Sequence, residues 1–124
     1  MRTPKSILVV DDNSSMRKCI KRLLSEHGFN VLLFDSGATL LRHADFDGAF
    51  CVIIDINLLD QSGIELRRQL ADKGVRLPVI FITGNDSDAN RSAAIEAGCI
   101  AYLPKPFAAR SLIEAVDRAL VEIF

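Results

Sequence analysis

Apolar positions recur along this chain in two rhythms that take turns. Five short runs are dense in β-branched and aliphatic residues: SILVV (Ser6 to Val10), NVLLF (Asn30 to Phe34), FCVIID (Phe50 to Asp55), PVIFIT (Pro78 to Thr83) and IAYL (Ile100 to Leu103). The first, third and fourth are apolar throughout instead of alternating. A strand covered on both faces of a parallel sheet reads this way. Between the runs the spacing changes to that of helices. Met16, Cys19, Ile20, Leu23 and Leu24 form one stripe, with Asn13 or Ser14 as cap and Gly28 as stop. A short helix is predicted over Ala38 to Arg42, and a longer one from about Ser62 to Lys73, ended by Gly74. The last helix carries Leu112, Ile113, Val116, Leu120 and Ile123. The segment from Asp86 to Ala97 has a thinner stripe of Ala89, Ala93, Ala94, Ile95 and Ala97, which predicts weak anchoring.

Alternating βα units predict a parallel sheet with right-handed crossovers. Five of them in this length predict a flavodoxin-like, doubly wound α/β fold with helices on both faces and strand order 2-1-3-4-5. The chain has 124 residues, 49% of them hydrophobic, which suits a single domain over 1–124 with a real core. A formal net charge of -1 and the lack of a basic stripe argue against nucleic-acid binding by this segment and against anionic membranes. No apolar run approaches the roughly 18 residues of a membrane span, and ILVV falls short of the about 7–15 residues of a signal-peptide core. A cytoplasmic location is expected. Cys19, Cys51 and Cys99 sit among apolar neighbours without a C-x-x-C pair, so buried free thiols are expected. His27 and His43 are isolated, which argues against either as a metal ligand.

In doubly wound folds, ligands gather outside the carboxyl ends of the strands. The polar residues at those ends therefore carry the functional question. The first strand ends in Asp11-Asp12, the third in Asp55 and the fourth in Thr83-Gly84; the fifth is followed by Pro104-Lys105-Pro106. Asp35 ends the second strand, but at the sheet edge. Taken singly, each is an ordinary turn or cap residue. Taken together, they are chemically complementary. Converging carboxylates resist joint ionisation, and a divalent cation relieves that repulsion. Oxygen donors alone, with no clustered His or Cys, favour Mg²⁺ (or Mn²⁺). Mg²⁺ commonly shares its shell with a phosphate, which points to phosphoryl transfer with a carboxylate as nucleophile. Lys105 would add a second positive charge and Thr83 a hydroxyl donor, while Gly84 leaves room for the incoming group.

The stretches VVDD (Val9 to Asp12), IIDINLLDQSG (Ile53 to Gly63), PVIFITG (Pro78 to Gly84) and AGCIAYLPKPF (Ala97 to Phe107), in this order, resemble the receiver domain of bacterial two-component response regulators. The resemblance covers essentially the whole chain. It implies that Asp55 accepts a phosphoryl group from the phosphohistidine of a sensor histidine kinase or a phosphotransfer protein. It implies that Asp12 ligates Mg²⁺ directly, Asp11 through water or hydrogen bonding, and Asn57 through its backbone carbonyl. Thr83 and Lys105 would bind phosphoryl oxygens, and Lys105-Pro106 would be a cis peptide. Thr83 and Tyr102 would form the switch that alters the surface of the fourth helix, fifth strand and fifth helix. That surface would control an output domain or target protein and is a possible homodimer contact. Such a module assists its own phosphorylation and dephosphorylation but is not a conventional enzyme.

This sequence departs from the family pattern after Asp55. Leu58-Leu59 stands where Met-Pro or Leu-Pro is common, so the loop carrying Asn57 lacks a proline that would preset its φ angle. Asn85, two past Thr83, falls at a variable position and bears on water access. Three other readings compete. A haloacid-dehalogenase-type aspartyl-phosphate hydrolase also uses Asp, Thr, Lys and Mg²⁺, but with a D-x-D nucleophile on an early strand and a cap domain. A flavodoxin-like cofactor binder would need a phosphate-cradling loop after the first strand. A degenerate receiver would act only as a docking module.

Overall fold

The computed structural model describes residues 5–42 and 46–123, with the side chain of Ile123 outside the description. His43 also lies outside the described residues. Five parallel strands form one sheet in the order β2-β1-β3-β4-β5. They are β1 (Ser6–Val10), β2 (Asn30–Phe34), β3 (Ala49–Asp55), β4 (Val79–Thr83) and β5 (Ala101–Pro104). The helices are α1 (Ser14–Glu26), α2 (Gly37–Leu41), α3 (Gly63–Asp72), α4 (Asp88–Glu96) and α5 (Ala109–Ile123). All seven residues of β3 are buried, as are all five of β4, which accounts for their unbroken apolar runs.

Alternation along the strands sorts the core into two layers. Ile7 and Val9 of β1, with Cys51 and Ile53 of β3, meet Ile20 and Leu24 of α1 and Leu112 and Val116 of α5. Leu8 and Val10, with Val52 and Ile54, meet Leu40 of α2, Leu66 and Leu70 of α3 and Ala94 of α4. Truncating a fully buried member such as Phe50 or Phe81 to Ala would cost about 3–5 kcal/mol.

Polar caps start the helices where the strands end. Asn13, Ser36, Ser62 and Ser87 each accept a backbone N–H from the first turn that follows. Each such cap contributes about 1 kcal/mol. Gly28 and Gly74 take φ of 86° and 81° just past α1 and α3, a backbone region that disfavours side chains.

The structure corrects the sequence reading in several places. Cys19 is exposed, not part of the buried stripe of α1, and Cys99 is half-buried; Cys51 alone of the three is buried. Cys19 precedes buried Ile20, and adjacent helical residues point about 100° apart. Ala115 and Ala119 complete the buried stripe of α5. In α4 the stripe is thinner than expected: Ala94 is its one buried residue, Ala89 is exposed and Ile95 is 66% exposed. Strand β5 and helix α2 are each displaced by one residue from their expected bounds.

Burial pushes the Cys51 thiol far above its usual range, and burial also raises that of Cys99. In the native protein, titration with an aromatic disulfide reagent will therefore modify Cys19 fast and Cys99 slowly. Cys51 will react only after denaturation. Fast modification of Cys51 in the folded state would contradict this packing.

Candidate functional site

Strand geometry assembles the site before any side-chain contact is considered. Strands β1 and β3 are neighbours, paired Val9↔Ile53 and Val10↔Ile54. The next residues along are Asp11 and Asp55. By the two-residue period both continue the layer of Ile7, Val9, Cys51 and Ile53. Lys105 follows β5 with the parity of Ala101 and Leu103, which pack in the same layer. Thr83 and Tyr102 have the opposite parity. They follow Phe81, whose layer contains α4, and Phe81 pairs with Tyr102.

The carboxylates of Asp11, Asp12 and Asp55 converge, each offering an oxygen within 4.8 Å of the others. Asp11 is fully buried and Asp55 is 4% exposed. The Lys105 ammonium donates to Asp11 Oδ2 and to Asp55 Oδ2, both at 2.9 Å. Three carboxylates thus face one ammonium. Burial pushes the Asp11 carboxyl above its usual range, against the opposing pull of the Asn13 amide and Lys105. For Lys105, burial pulls downward, but hydrogen bonds to Asp11 and Asp55 outweigh it and hold the ammonium above its usual range. It is therefore charged at neutral pH. The donor set fits Mg²⁺: it is all oxygen, it is anionic, and a cation already bridges two of its members.

Backbone contacts hold these groups in place. The Asn13 amide donates to Asp11 Oδ1 at 2.9 Å, and the Asn57 amide donates to Asp55 Oδ1 at 2.9 Å. The second carboxylate oxygen of each is thereby left for Lys105. Arg17 of α1 reaches back to donate from Nη1 to the Asp11 carbonyl at 2.7 Å. The Lys105 amide donates to the Thr83 carbonyl at 2.7 Å, and the Lys105–Pro106 peptide is cis. The buried Thr83 hydroxyl donates to Asn57 Oδ1 at 2.7 Å and accepts the Asn85 amide at 2.9 Å. A Cβ on Gly84 would meet nothing within 4 Å, so this exit from β4 is open.

The loop after Asp55 is tied down without a proline. Leu58 is buried, while Leu59 is 91% exposed. Asn57 and Ser62 form an isolated bridge, and the Gly63 amide donates to the Ile56 carbonyl at 2.8 Å. Gly63 has a role that its place in a motif did not reveal. A Cβ there would lie 2.4 Å from the Asp55 carbonyl oxygen and 2.9 Å from Ile56 Cα. The start of α3 can press on the end of β3 only through a glycine.

Tyr102 and Asp35 lie apart from the cluster. The Tyr102 hydroxyl donates to Asp86 Oδ1 at 2.9 Å. Arg91 of α4 places its guanidinium 4.7 Å from the Tyr102 ring centroid and contacts both Asp86 oxygens at 3.2 Å. Neither Asp86 nor Arg91 carries a sequence signal beyond ordinary helix-start polarity. Asp35 accepts the Thr39 hydroxyl at 3.1 Å and is exposed. The His27 ring contacts the Leu23 carbonyl at 3.0 Å on the α1 exterior, away from the acids.

Comparison with known proteins identifies the family of this fold. The model of the response regulator receiver domain matches residues 7–117. The response regulator MprA of Mycolicibacterium vanbaalenii is 38% identical over 118 residues, which cover 95% of this chain and 51% of that protein. The MprA of Mycobacterium leprae is 36% identical over 115 residues, covering 93% and 50%. The chain spans about half the length of the curated relatives it matches. A receiver protein from Pseudoalteromonas atlantica superposes with a TM-score of 0.89 at 27% identity, covering 95% of this chain and 98% of that one. A CheY-like receiver domain from Methanospirillum hungatei gives 0.85 at 29% identity, covering 97% and 96%. The fold and its acidic edge define a receiver-type signalling domain. The chain belongs to the response regulator receiver domain family of two-component systems.

Two measurements check the local geometry. Gly63→Ala should destabilise the fold by about 2–3 kcal/mol in urea unfolding, because the backbone atoms it strikes have no rotamer to yield. Wild-type stability in that variant would contradict the close contact. Tyr102 is the single tyrosine and there is no tryptophan, so its ionisation reads out cleanly in the ultraviolet. Burial and the Asp86 carboxylate raise the Tyr102 phenol above its usual range. Asp86→Ala should bring the titration midpoint down toward the free-tyrosine value.

Proposed function

We propose that this domain accepts a phosphoryl group on Asp55 from a phosphohistidine of a sensor kinase or phosphotransfer protein. The observation that carries this reading is the Asp55 carboxylate itself. It is held at the end of a buried strand, with one oxygen fixed by the Asn57 amide and the other beside a lysine ammonium. That oxygen would attack phosphorus as the P–N bond to the imidazole breaks, and the imidazole nitrogen keeps the electron pair and takes up a proton. Asp11 and Asp12, with Asp55 and the Asn57 carbonyl, would hold Mg²⁺. When bound, that ion supplies charge neutralisation for the phosphoryl oxygens.

Lys105 then has two tasks. Before transfer it keeps two buried carboxylates compatible. After transfer its ammonium neutralises the new phosphoryl oxygens, still as a charged donor. Thr83 begins with its hydroxyl given to Asn57, so binding a phosphoryl oxygen exchanges one acceptor for another. It shares the parity of Phe81, whose layer also holds Ala94 of α4 and Tyr102, and this supports a link from the exchange to the α4–β5 side of the proposed output surface. Tyr102 starts hydrogen-bonded to Asp86, and the switch reading has it leave that partner. A phosphoryl group shifts this equilibrium only by interacting differently with the two states. The altered surface would act on an output domain or partner protein, with homodimerisation as one form of that output.

The domain would work in the cytoplasm, as a signalling module more than a turnover enzyme. No helix among the described residues is long and apolar enough to cross a membrane. The phosphohydrolase reading has no supporting observation: the acid two past Asp55 is replaced by Asn57, whose side chain is engaged by Thr83.

Incubation with Mg²⁺ and a small phosphodonor should add one phosphoryl group by intact mass, with the lability of an acyl phosphate. Asp55→Asn should gain none. Wild-type protein that stays unmodified by both a small donor and a cognate kinase would sink the reading. Steady turnover of organic phosphate esters would favour the hydrolase.

A further inference from the structure

The β3–α3 loop holds Asn57, and its middle is fastened to a different element. Asp60 accepts the Gly37 amide at 3.2 Å through Oδ1 and the Ala38 amide at 3.0 Å through Oδ2. Both amides belong to the first turn of α2, whose N–H groups have no partner within the helix. The Ser36 side chain caps the next amide along, that of Thr39, so the Asp60 carboxylate and the Ser36 hydroxyl do not compete. A separate contact joins the same two elements. The Gln61 side chain covers Gly37 so closely that a Cβ there would lie 2.5 Å from its Nε2. Gly37 is buried although it starts a five-residue surface helix.

These contacts leave a loop held at three places. Asn57 is fastened to Asp55 and Thr83, Ser62-Gly63 to Asn57 and Ile56, and Asp60-Gln61 to α2. Between them, Leu59 is 91% exposed and contributes no buried surface to hold the loop. Its own backbone is that of an ordinary residue, with two free dihedral angles. Releasing Asp60 therefore loosens residues 59–60, between buried Leu58 and the Gln61 contact on Gly37, while both ends stay attached. Asn57 is at one of those ends.

We infer that Asp60 is a positioning residue for the phosphoacceptor site. It clamps the loop to α2 and so fixes the direction of the Asn57 backbone toward a bound Mg²⁺. Its carboxylate touches neither Asp55 nor Lys105; it acts through Asn57. The inference rests on the phosphoacceptor reading and adds α2 to the elements that support the site.

The test uses the intact chain, Mg²⁺ alone and then a small phosphodonor. Calorimetry should show Mg²⁺ binding weakened about 10-fold in Asp60→Ala, at the low end for residues that orient metal ligands. Phosphorylation by the small donor should slow by a similar factor at subsaturating Mg²⁺ and recover at high Mg²⁺. Asp60→Asn keeps one acceptor oxygen and should lose less than Asp60→Ala. If the two variants lose equally, the effect is one of charge alone and the clamp is refuted. If Asp60→Ala lowers unfolding stability but leaves Mg²⁺ affinity at the wild-type value, the role is structural and the inference also fails. Wild-type protein that neither binds Mg²⁺ nor accepts phosphate would instead overturn the functional reading on which the clamp rests.

Discussion

The ammonium of Lys105, 2.9 Å from the carboxylates of both Asp11 and Asp55, is the interaction around which this site is organised. The sheet order makes it necessary. Because β1 and β3 are adjacent and in register, their terminal acids arrive side by side in a place with almost no solvent. Two buried like charges destabilise each other, and burial alone disfavours each of them. One lysine, entering from the far side of β4, makes the pair tolerable. It does not satisfy the whole cluster, since Asp12 shares the same small volume. The site is thus left deficient in positive charge, a condition that favours a cation. The buried strands β1 and β3 carry the cost, being among the most fully packed parts of the molecule.

Most of this was legible in the sequence because it depends on features with short periods. Unbroken apolar runs identified the central strands, and the topology rule brought their last residues to one edge. Strand parity, also readable from the sequence, would have separated Asp11, Asp55 and Lys105 from Thr83 and Tyr102. What escaped depends on contacts between elements. Cys19 looked like part of a stripe because Met16 and Leu23 are near it in spacing, yet the packed face of α1 is narrower and centred on Ile20 and Leu24. Gly63 read as turn composition, whereas its reason is the closeness of the Asp55 and Ile56 backbone. Asp60 reads as one more acidic loop residue, and its partners lie more than twenty positions away. Residue 59 lacks the proline common in the family, but the restraint on the loop comes from its neighbours.

The two layers of the core differ in how firmly they hold what lies above them. On the layer of α1 and α5, the acids and Lys105 rest on long helices, α1 with Ile20 and Leu24 buried and α5 with Leu112, Ala115, Val116 and Ala119 buried. On the opposite layer, α4 is anchored through Ala94 alone among its buried side chains, and polar contacts do the remaining work. Asn90 donates to the Asn85 carbonyl at 2.7 Å, and Arg91 is engaged with Asp86 and Tyr102. Exposed polar contacts of this kind contribute little each, about 0–1 kcal/mol. Apolar burial contributes more, roughly 1.5–3 kcal/mol for each large side chain. The α4 side is therefore held by the weaker set of contacts. Thr83 stands where the two layers meet: its hydroxyl faces the acid loop through Asn57, and its backbone carbonyl receives the Lys105 amide. A charge added at Asp55 meets a rigid wall of β1, β3 and Lys105 on one side. On the other it meets a threonine whose layer ends in the least firmly packed helix of the fold. Of the two sides of this edge, the α4–β5 side is the more loosely packed.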